Sequence, residues 1–390
     1  MPTLYFDHNA TTPIAPEVAD AMAAALRDVY GNPSSVHRPG QLARQQLEKS
    51  RRTVAEFIHA PAAELVFTSG GTEANNLAIF GVARSIPSAH KHVITTTVEH
   101  PAVLESCRQL EREGVEISRV NVSGGVIAVD EIRRNLRAET VLISVMHANN
   151  EVGTIQPVEE IGALVRERRA AGQEIYFHSD GVQAFGKIGV DVQRLGVDLY
   201  SVSAHKIFGP KGVGGLFVRR GTPLEPVQYG GRHERGRRAG TENVPGVMAF
   251  ARAVELCSPN DSSYLSALRD FFEAEMRLAM PQVKINGAPE RRLPNTSNLE
   301  FPELSAEALV IALDLKGVAV STGSACSSGS IEPSHVLLAM GRTRDEARSS
   351  VRFSFGRYNT GHEVNALVDA VTGCVHQLQR LAREEIRAVV

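Results

Sequence analysis

Behind Pro16, apolar residues return at four-residue spacing as Val18, Met22 and Leu26, and this period predicts a helix over 16–28. The segment Tyr30-Gly-Asn-Pro-Ser-Ser35 stops it. A second helical stretch over 38–58 precedes a short strand at 65–68, and the small polar run Ser69-Gly-Gly-Thr-Glu-Ala-Asn-Asn76 opens another helix. Apolar β-type runs at 92–97, 115–120, 140–146 and 174–179 then alternate with helical periods at 101–113, 130–137 and 157–171. Strands separated by helices predict a mostly parallel α/β sheet. The runs at 198–203 and 214–219 have no helix between them, which predicts an antiparallel edge or hairpin. After the Gly/Arg-rich stretch 229–240 come helices near 243–256 and 262–279, a turn-rich stretch around 286–297, and mixed α and β to the end. The expected division is a large domain over 16–255 and a smaller one built from 1–15 and 256–390.

Composition narrows the class. In 390 residues, 43% hydrophobic and 22% charged with 33 Gly and 19 Pro exclude disorder and fibre. Lys+Arg 42 against Asp+Glu 44 gives a net charge of −2, so no global field draws nucleic acid or an anionic membrane. No long apolar run is present, and the start Met1-Pro-Thr-Leu-Tyr-Phe-Asp-His8 lacks a charged then apolar leader, which places the protein in the cytoplasm as an expectation. The four cysteines show no C-x-x-C and no Cys/His ligand spacing, so neither a disulfide framework nor a metal site is expected.

In an open parallel sheet, ligands gather at the carboxyl ends of the strands. Here those ends carry Ser69-Gly70-Gly71-Thr72, then Glu99-His100, then Asn149-Asn150, then Asp180 with Gln183, and finally His205-Lys206. The glycine loop with its following helix offers N–H groups to an anion such as phosphate. Only seven lysines stand among the 42 basic residues. An amine can form a Schiff base and a guanidinium cannot, so Lys206 or Lys211 is a candidate for a covalent aldehyde adduct, Lys206 being preferred because it directly follows a strand. A phosphate loop, such a lysine and an acid for a ring nitrogen, Asp180, are what a pyridoxal phosphate enzyme needs.

Cys107, Cys257 and Cys374 fall in apolar-periodic helices and are expected as buried hydrophobes. Cys326 differs: Ser321-Thr-Gly-Ser-Ala-Cys-Ser-Ser-Gly-Ser330 is small, polar and aperiodic, the setting of an exposed loop that carries a thiol.

The segments Tyr5-Phe-Asp-His-Asn-Ala-Thr-Thr-Pro13, Tyr30-Gly-Asn-Pro-Ser-Ser-Val-His37, Ser69 to Asn76, Val98-Glu-His-Pro-Ala-Val-Leu104 and Ser203-Ala-His-Lys-Ile-Phe-Gly-Pro-Lys-Gly212 resemble the cysteine desulfurases of the NifS/IscS type. So do Arg237-Arg-Ala-Gly-Thr-Glu-Asn243, Ser324-Ala-Cys-Ser-Ser-Gly329 and Arg352-Phe-Ser-Phe-Gly-Arg357, so the resemblance spans nearly the whole chain. It implies the fold of type I pyridoxal phosphate (PLP) enzymes, class V aminotransferase-like, with a mostly parallel seven-stranded sheet in the large domain and a smaller α+β domain. It implies that Lys206 holds the cofactor and moves the α-proton, that His100 stacks on the pyridine and serves acid–base steps, and that Asp180 pairs with the ring nitrogen. Gln183 and Asn150 are implied at the ring hydroxyl. Gly71, Thr72, Ser203 and His205 are implied at the phosphate, joined by Thr241 from a neighbouring subunit of a homodimer. Arg357 is implied as the clamp on the substrate carboxylate, with Asn32 in the same pocket. The implied reaction turns L-cysteine into L-alanine, Cys326 taking the sulfur as a persulfide for an acceptor protein such as an iron–sulfur scaffold. The alternatives are a selenocysteine lyase and a class V aminotransferase without persulfide chemistry.

Overall fold

The computed structural model describes residues 4–122, 124–323 and 332–389. Twelve strands occur among them: β1 (Leu4–Tyr5), β2 (Leu65–Thr68), β3 (His92–Thr96), β4 (Glu116–Val120), β5 (Thr140–Ser144), β6 (Tyr176–Asp180), β7 (Leu199–Ser203), β8 (Gly214–Val218), β9 (Lys284–Ile285), β10 (Thr296–Glu300), β11 (Val318–Ala319) and β12 (Ser350–Ser354). Seven form a central sheet in the order β2-β8-β7-β6-β5-β3-β4. All pairings are parallel except those of β8, which runs antiparallel to both β2 and β7. The sequence pattern placed an antiparallel edge or hairpin here. β8 is in fact interior, because β2 covers its outer side and forms the edge.

Both faces of this sheet are buried, as parallel sheets require. Period-two alternation divides the side chains between them: Leu65 and Phe67 of β2 join one apolar cluster and Val66 the other, and Phe217 and Leu216 of β8 divide likewise. The helices Gly71–Ser85 and Pro101–Arg112 cover one face. The helices Arg38–Glu56, Val158–Ala170 and Val244–Glu255 cover the other.

A third large cluster stands apart. It gathers Phe6 with Phe272, Leu309, Val351, Phe353 and Val371, around the antiparallel sheet β12-β10-β9 and the helices Pro259–Ala279, Ala306–Leu315 and Gly361–Val389. β1 pairs in parallel with β11, which ties the N-terminal segment to this C-terminal part.

Candidate active site

The carboxyl ends of β3, β5, β6 and β7 open on one cavity of about 370 Å³. One 3-10 turn after β7, Ala204–Lys206, brings Lys206 to it. The Lys206 Nζ donates to the carbonyl oxygens of Asn9 and Ala10 at 2.6 and 2.7 Å. Desolvation in the cavity wall, and then the charge of Arg352, lower its pKa to about 8, against the opposing pull of Asp180 and Asp7. A fraction of the amine is therefore uncharged near neutral pH, the form that attacks an aldehyde. Lys211, by contrast, is exposed and does not line the cavity.

Asp180 closes β6. Its Oδ2 accepts from Asn75 Nδ2 at 2.7 Å and its Oδ1 from the Val182 amide at 3.0 Å, so two donors fix the plane of the carboxylate. Asn75 lies one turn into the helix that starts at Gly71. His100 caps the helix Pro101–Arg112, its Nδ1 accepting from the Ala102 amide at 3.1 Å. That bond leaves the proton on Nε2 in the neutral ring. The surrounding wall desolvates the imidazolium and lowers the pKa, with Lys206 adding in the same direction, although the ring keeps an accessible surface.

At the other end, Gly71 and Thr72 begin a helix that no side chain caps, and its first-turn N–H groups stand by the cavity. Gly70, at φ +153, packs on Gly214 of β8 in a backbone region closed to other residues. Ser203 Oγ is buried without a partner. His205 Nδ1 meets Thr11 Oγ1 at 3.1 Å, and burial followed by the charge of Lys206 lowers its pKa to about 4. An uncapped helix start and an orphaned hydroxyl at one end, an aldehyde-reactive amine between, and a held carboxylate beyond make a donor set that fits a phosphorylated pyridine aldehyde. Gln183 and Asn150 also line the cavity, the former donating from Nε2 to the Asn9 carbonyl at 3.0 Å.

Two of the expected residues, Arg357 and Asn32, lie elsewhere. Arg357 does not line this cavity: its Nη1 donates to the Leu256 carbonyl at 2.6 Å, its Nη2 meets Asp261 Oδ2 at 3.3 Å, and its guanidinium lies 4.9 Å from the centre of the Phe208 ring. The arginine that does line it is Arg352. Val351 and Phe353 turn into the C-terminal core, and the strand period sends Arg352 to the opposite face of β12. Its Nη1 donates to the Asn150 carbonyl at 3.0 Å, its Nη2 to Asp7 Oδ1 at 2.7 Å, and its Nε is buried without a partner. That alternation was readable in Val-Arg-Phe-Ser-Phe and would have selected Arg352. Asn32 is exposed, its Oδ1 accepting from the Ser34 amide at 2.9 Å, and does not line the cavity. Thr241 is exposed and away from the cavity of its own chain. Cys326 lies outside the described residues, whereas Ser321 and Gly323, just before it, line the cavity.

Cys107 and Cys374 are buried as expected. Cys257 follows the end of its helix and is half-buried, with Arg357 Nη2 3.5 Å from its sulfur. Asn9 lies in the Tyr5–Pro13 segment that carries the resemblance, with no role of its own expected. Its side chain and backbone bond Lys206, Gln183, Lys187, Thr296, Asn295 and Ser354, joining both parts of the chain under the cavity.

This sheet, with a lysine after β7 and a carboxylate at the end of β6 lining one cavity, defines a PLP enzyme of fold type I, and the chain belongs to the class V aminotransferase family, which matches residues 4–367. It is 45% identical over 383 residues, covering 97% of this chain and 96% of the relative, to the cysteine desulfurase IscS of Dictyoglomus turgidum. Among solved structures, a NifS-like protein superposes with a TM-score of 0.90 at 36% identity over 96% of this chain and 100% of that one. SspA in complex with cysteine superposes with a TM-score of 0.81 at 33% identity over 91% of this chain and 99% of that one. No helix among the described residues is long and apolar enough to cross a membrane.

Proposed function

We propose that the chain is a PLP-dependent cysteine desulfurase, which removes sulfur from L-cysteine, releases L-alanine and carries the sulfur on Cys326. The observation that carries this reading is the meeting, in one cavity, of Lys206, Asp180 and Arg352 with the chain segment that leads to Cys326. When bound, the cofactor supplies an electron sink next to the substrate's α-carbon. Lys206 anchors it and moves the α-proton between carbon and nitrogen. Asp180, held by Asn75 and Val182, keeps a proton on the ring nitrogen. Gly71, Thr72, Ser203 and His205 hold the phosphate, and Gln183 and Asn150 meet the ring hydroxyl. His100, with its proton on Nε2, faces the ring and serves as acid and base.

Arg352, rather than Arg357, anchors the substrate carboxylate through the donors that Asp7 and Asn150 leave free, a planar fork that lysine does not reproduce. The sulfur step balances without an external oxidant. The Cys326 thiolate forms a bond to the substrate sulfur, the C–S bond breaks, and its electron pair stays on carbon, which takes a proton on the way to alanine. Cys326 stands three residues beyond Gly323, a chain length of at most about 11 Å.

The same reading divides the chain into a large domain over 16–255 and a small one from 1–15 and 256–390, supported by an apolar cluster drawn only from the latter segments, although Ala15, Leu293, Val336, Leu337 and Ala347 pack into the large-domain cluster. It makes the enzyme a homodimer that works in the cytoplasm, with Thr241 completing the phosphate site of the partner subunit. Exposed Tyr30, Val36 and Tyr229, on the segments that also carry Asn32 and Thr241, support such an interface. The persulfide passes to an acceptor protein such as an iron–sulfur scaffold. The test is incubation of the full chain, loaded with PLP, with L-cysteine. Alanine should form in step with a gain of one sulfur atom on the Cys326 peptide, and Cys326→Ala should abolish both. Undiminished alanine formation by that variant would refute direct attack by its thiol.

A further inference from the structure

Lys187 is a buried lysine with no carboxylate within salt-bridge distance among the described residues, although burying an unpaired amine is costly. Its Nζ donates to two neutral oxygens, Gln183 Oε1 at 2.6 Å and Asn9 Oδ1 at 2.9 Å. It stands one turn after Gln183 and does not itself line the main cavity, whereas Gln183 does. Nothing in the desulfurase chemistry above uses it. Its effect falls on the amide. A glutamine side chain can turn either its oxygen or its nitrogen to a neighbour. With Lys187 held on Oε1 and the Asn9 carbonyl accepting from Nε2 at 3.0 Å, only one orientation satisfies both contacts. The second N–H of Gln183 is then the group available to the cavity. In the flipped orientation an oxygen would face the cavity and an NH2 would face the donating Nζ of Lys187.

We propose that Lys187 is a positioning residue that locks Gln183 as a hydrogen-bond donor, so that this end of the cavity selects a cofactor carrying an acceptor oxygen, the ring hydroxylate of PLP. This rests on the assignment of the cavity to PLP. The cationic surroundings fit an anionic oxygen: burial, and after it the charges of Lys206 and Arg352, push the Lys187 pKa well below the ordinary lysine value.

The test measures equilibrium binding of PLP and of its 3-deoxy analogue to the full-length apoprotein, for wild type and Lys187→Met, with thermal unfolding of each apoprotein alongside. Wild type should favour PLP over the analogue by roughly tenfold to a hundredfold, the range of one charge-assisted hydrogen bond. In Lys187→Met that preference should fall by at least about threefold, Asn150 keeping its share, with the loss falling on PLP and not on the analogue. A purely structural role would weaken both ligands alike and leave the ratio, which would overturn the proposal. So would a wild type that does not distinguish the two. Lys187→Gln, shorter and uncharged, should show the same fall if the methionine variant does not fold. Failure of both variants to fold would make Lys187 a core residue and also overturn it. A wild type that binds neither ligand would instead refute the assignment of the cavity.

Discussion

Two arginines five residues apart make opposite predictions. Arg352 lines the cavity, buried, with its Nε unpartnered and one contact each to Asp7 and Asn150. Arg352→Lys keeps a cation for Asp7 but removes the fork. A charge-assisted hydrogen bond contributes about 1.5–3 kcal/mol, so the loss of one such bond to the substrate carboxylate should lower kcat/KM for L-cysteine by roughly tenfold to a hundredfold. Most of this should appear in KM. Arg357→Ala removes the bond to the Leu256 carbonyl, the pairing with Asp261 and the stacking on Phe208. It should lower stability by about 1–3 kcal/mol, as for a truncated, mostly buried polar side chain, and leave kcat/KM of the folded enzyme within about twofold. The assay is sulfide release in the presence of a thiol reductant, over a range of L-cysteine concentrations in protein fully loaded with PLP, repeated with cysteamine, which lacks the carboxylate. Preference for cysteine over cysteamine should collapse in Arg352→Lys and persist in Arg357→Ala. The opposite pattern would return the carboxylate site to Arg357 and refute the placement derived from β12.

The amine of Lys206 should control loading. With its pKa near 8 instead of the ordinary 10.5, the rate at which the visible PLP band develops on apoprotein should rise with pH through about 8 and then level off. Because the folded-state value is the lower one, this group also makes the apoprotein more stable as pH rises from about 8 towards 10.5. Arg352→Ala removes the nearby cation and should move the loading midpoint upward; a downward move would contradict the cause assigned to the shift. A second expectation concerns stability alone. Glu234, at φ +45, is almost wholly buried, and both its oxygens meet the Arg51 guanidinium, at 2.6 and 2.8 Å, with the Phe67 amide at 2.9 Å. Glu234→Gln leaves that guanidinium to the half-exposed Glu48 alone, whose carboxylate lies 3.1 Å from its Nε, and should cost about 3 kcal/mol in denaturant unfolding, with Arg51→Met on top of it recovering about half. A single variant within 1 kcal/mol or so of wild type would sink this expectation.

Much of the site could be read from the order of residues because the rule that builds it is local. In a β–α alternation, whatever follows each strand reaches the same rim, so Asp180, His100 and Lys206 were identifiable from strand ends and residue type alone. Arg352 was accessible in principle through the period of its strand, but only once it is known which face of β12 packs on a core. The bonding role of Asn9 was not accessible from any local pattern. Its partners Ser354, Thr296, Lys187 and Lys206 lie 345, 287, 178 and 197 residues away in sequence. The burial of Lys187 beside Gln183 was equally hidden, since a lysine one turn from a glutamine reads as solvated surface.

The amino-acid order alone therefore determined the kind of sheet, the rim where polar residues gather and the amine and acid that reach it, because backbone periodicity acts over a few residues. Which arginine enters the cavity, which lysine stays buried without an acid, and how the N-terminal segment ties Lys206 to both parts of the chain were decided only when distant segments packed. Those choices depend on contacts between residues hundreds of positions apart, for which no local period exists.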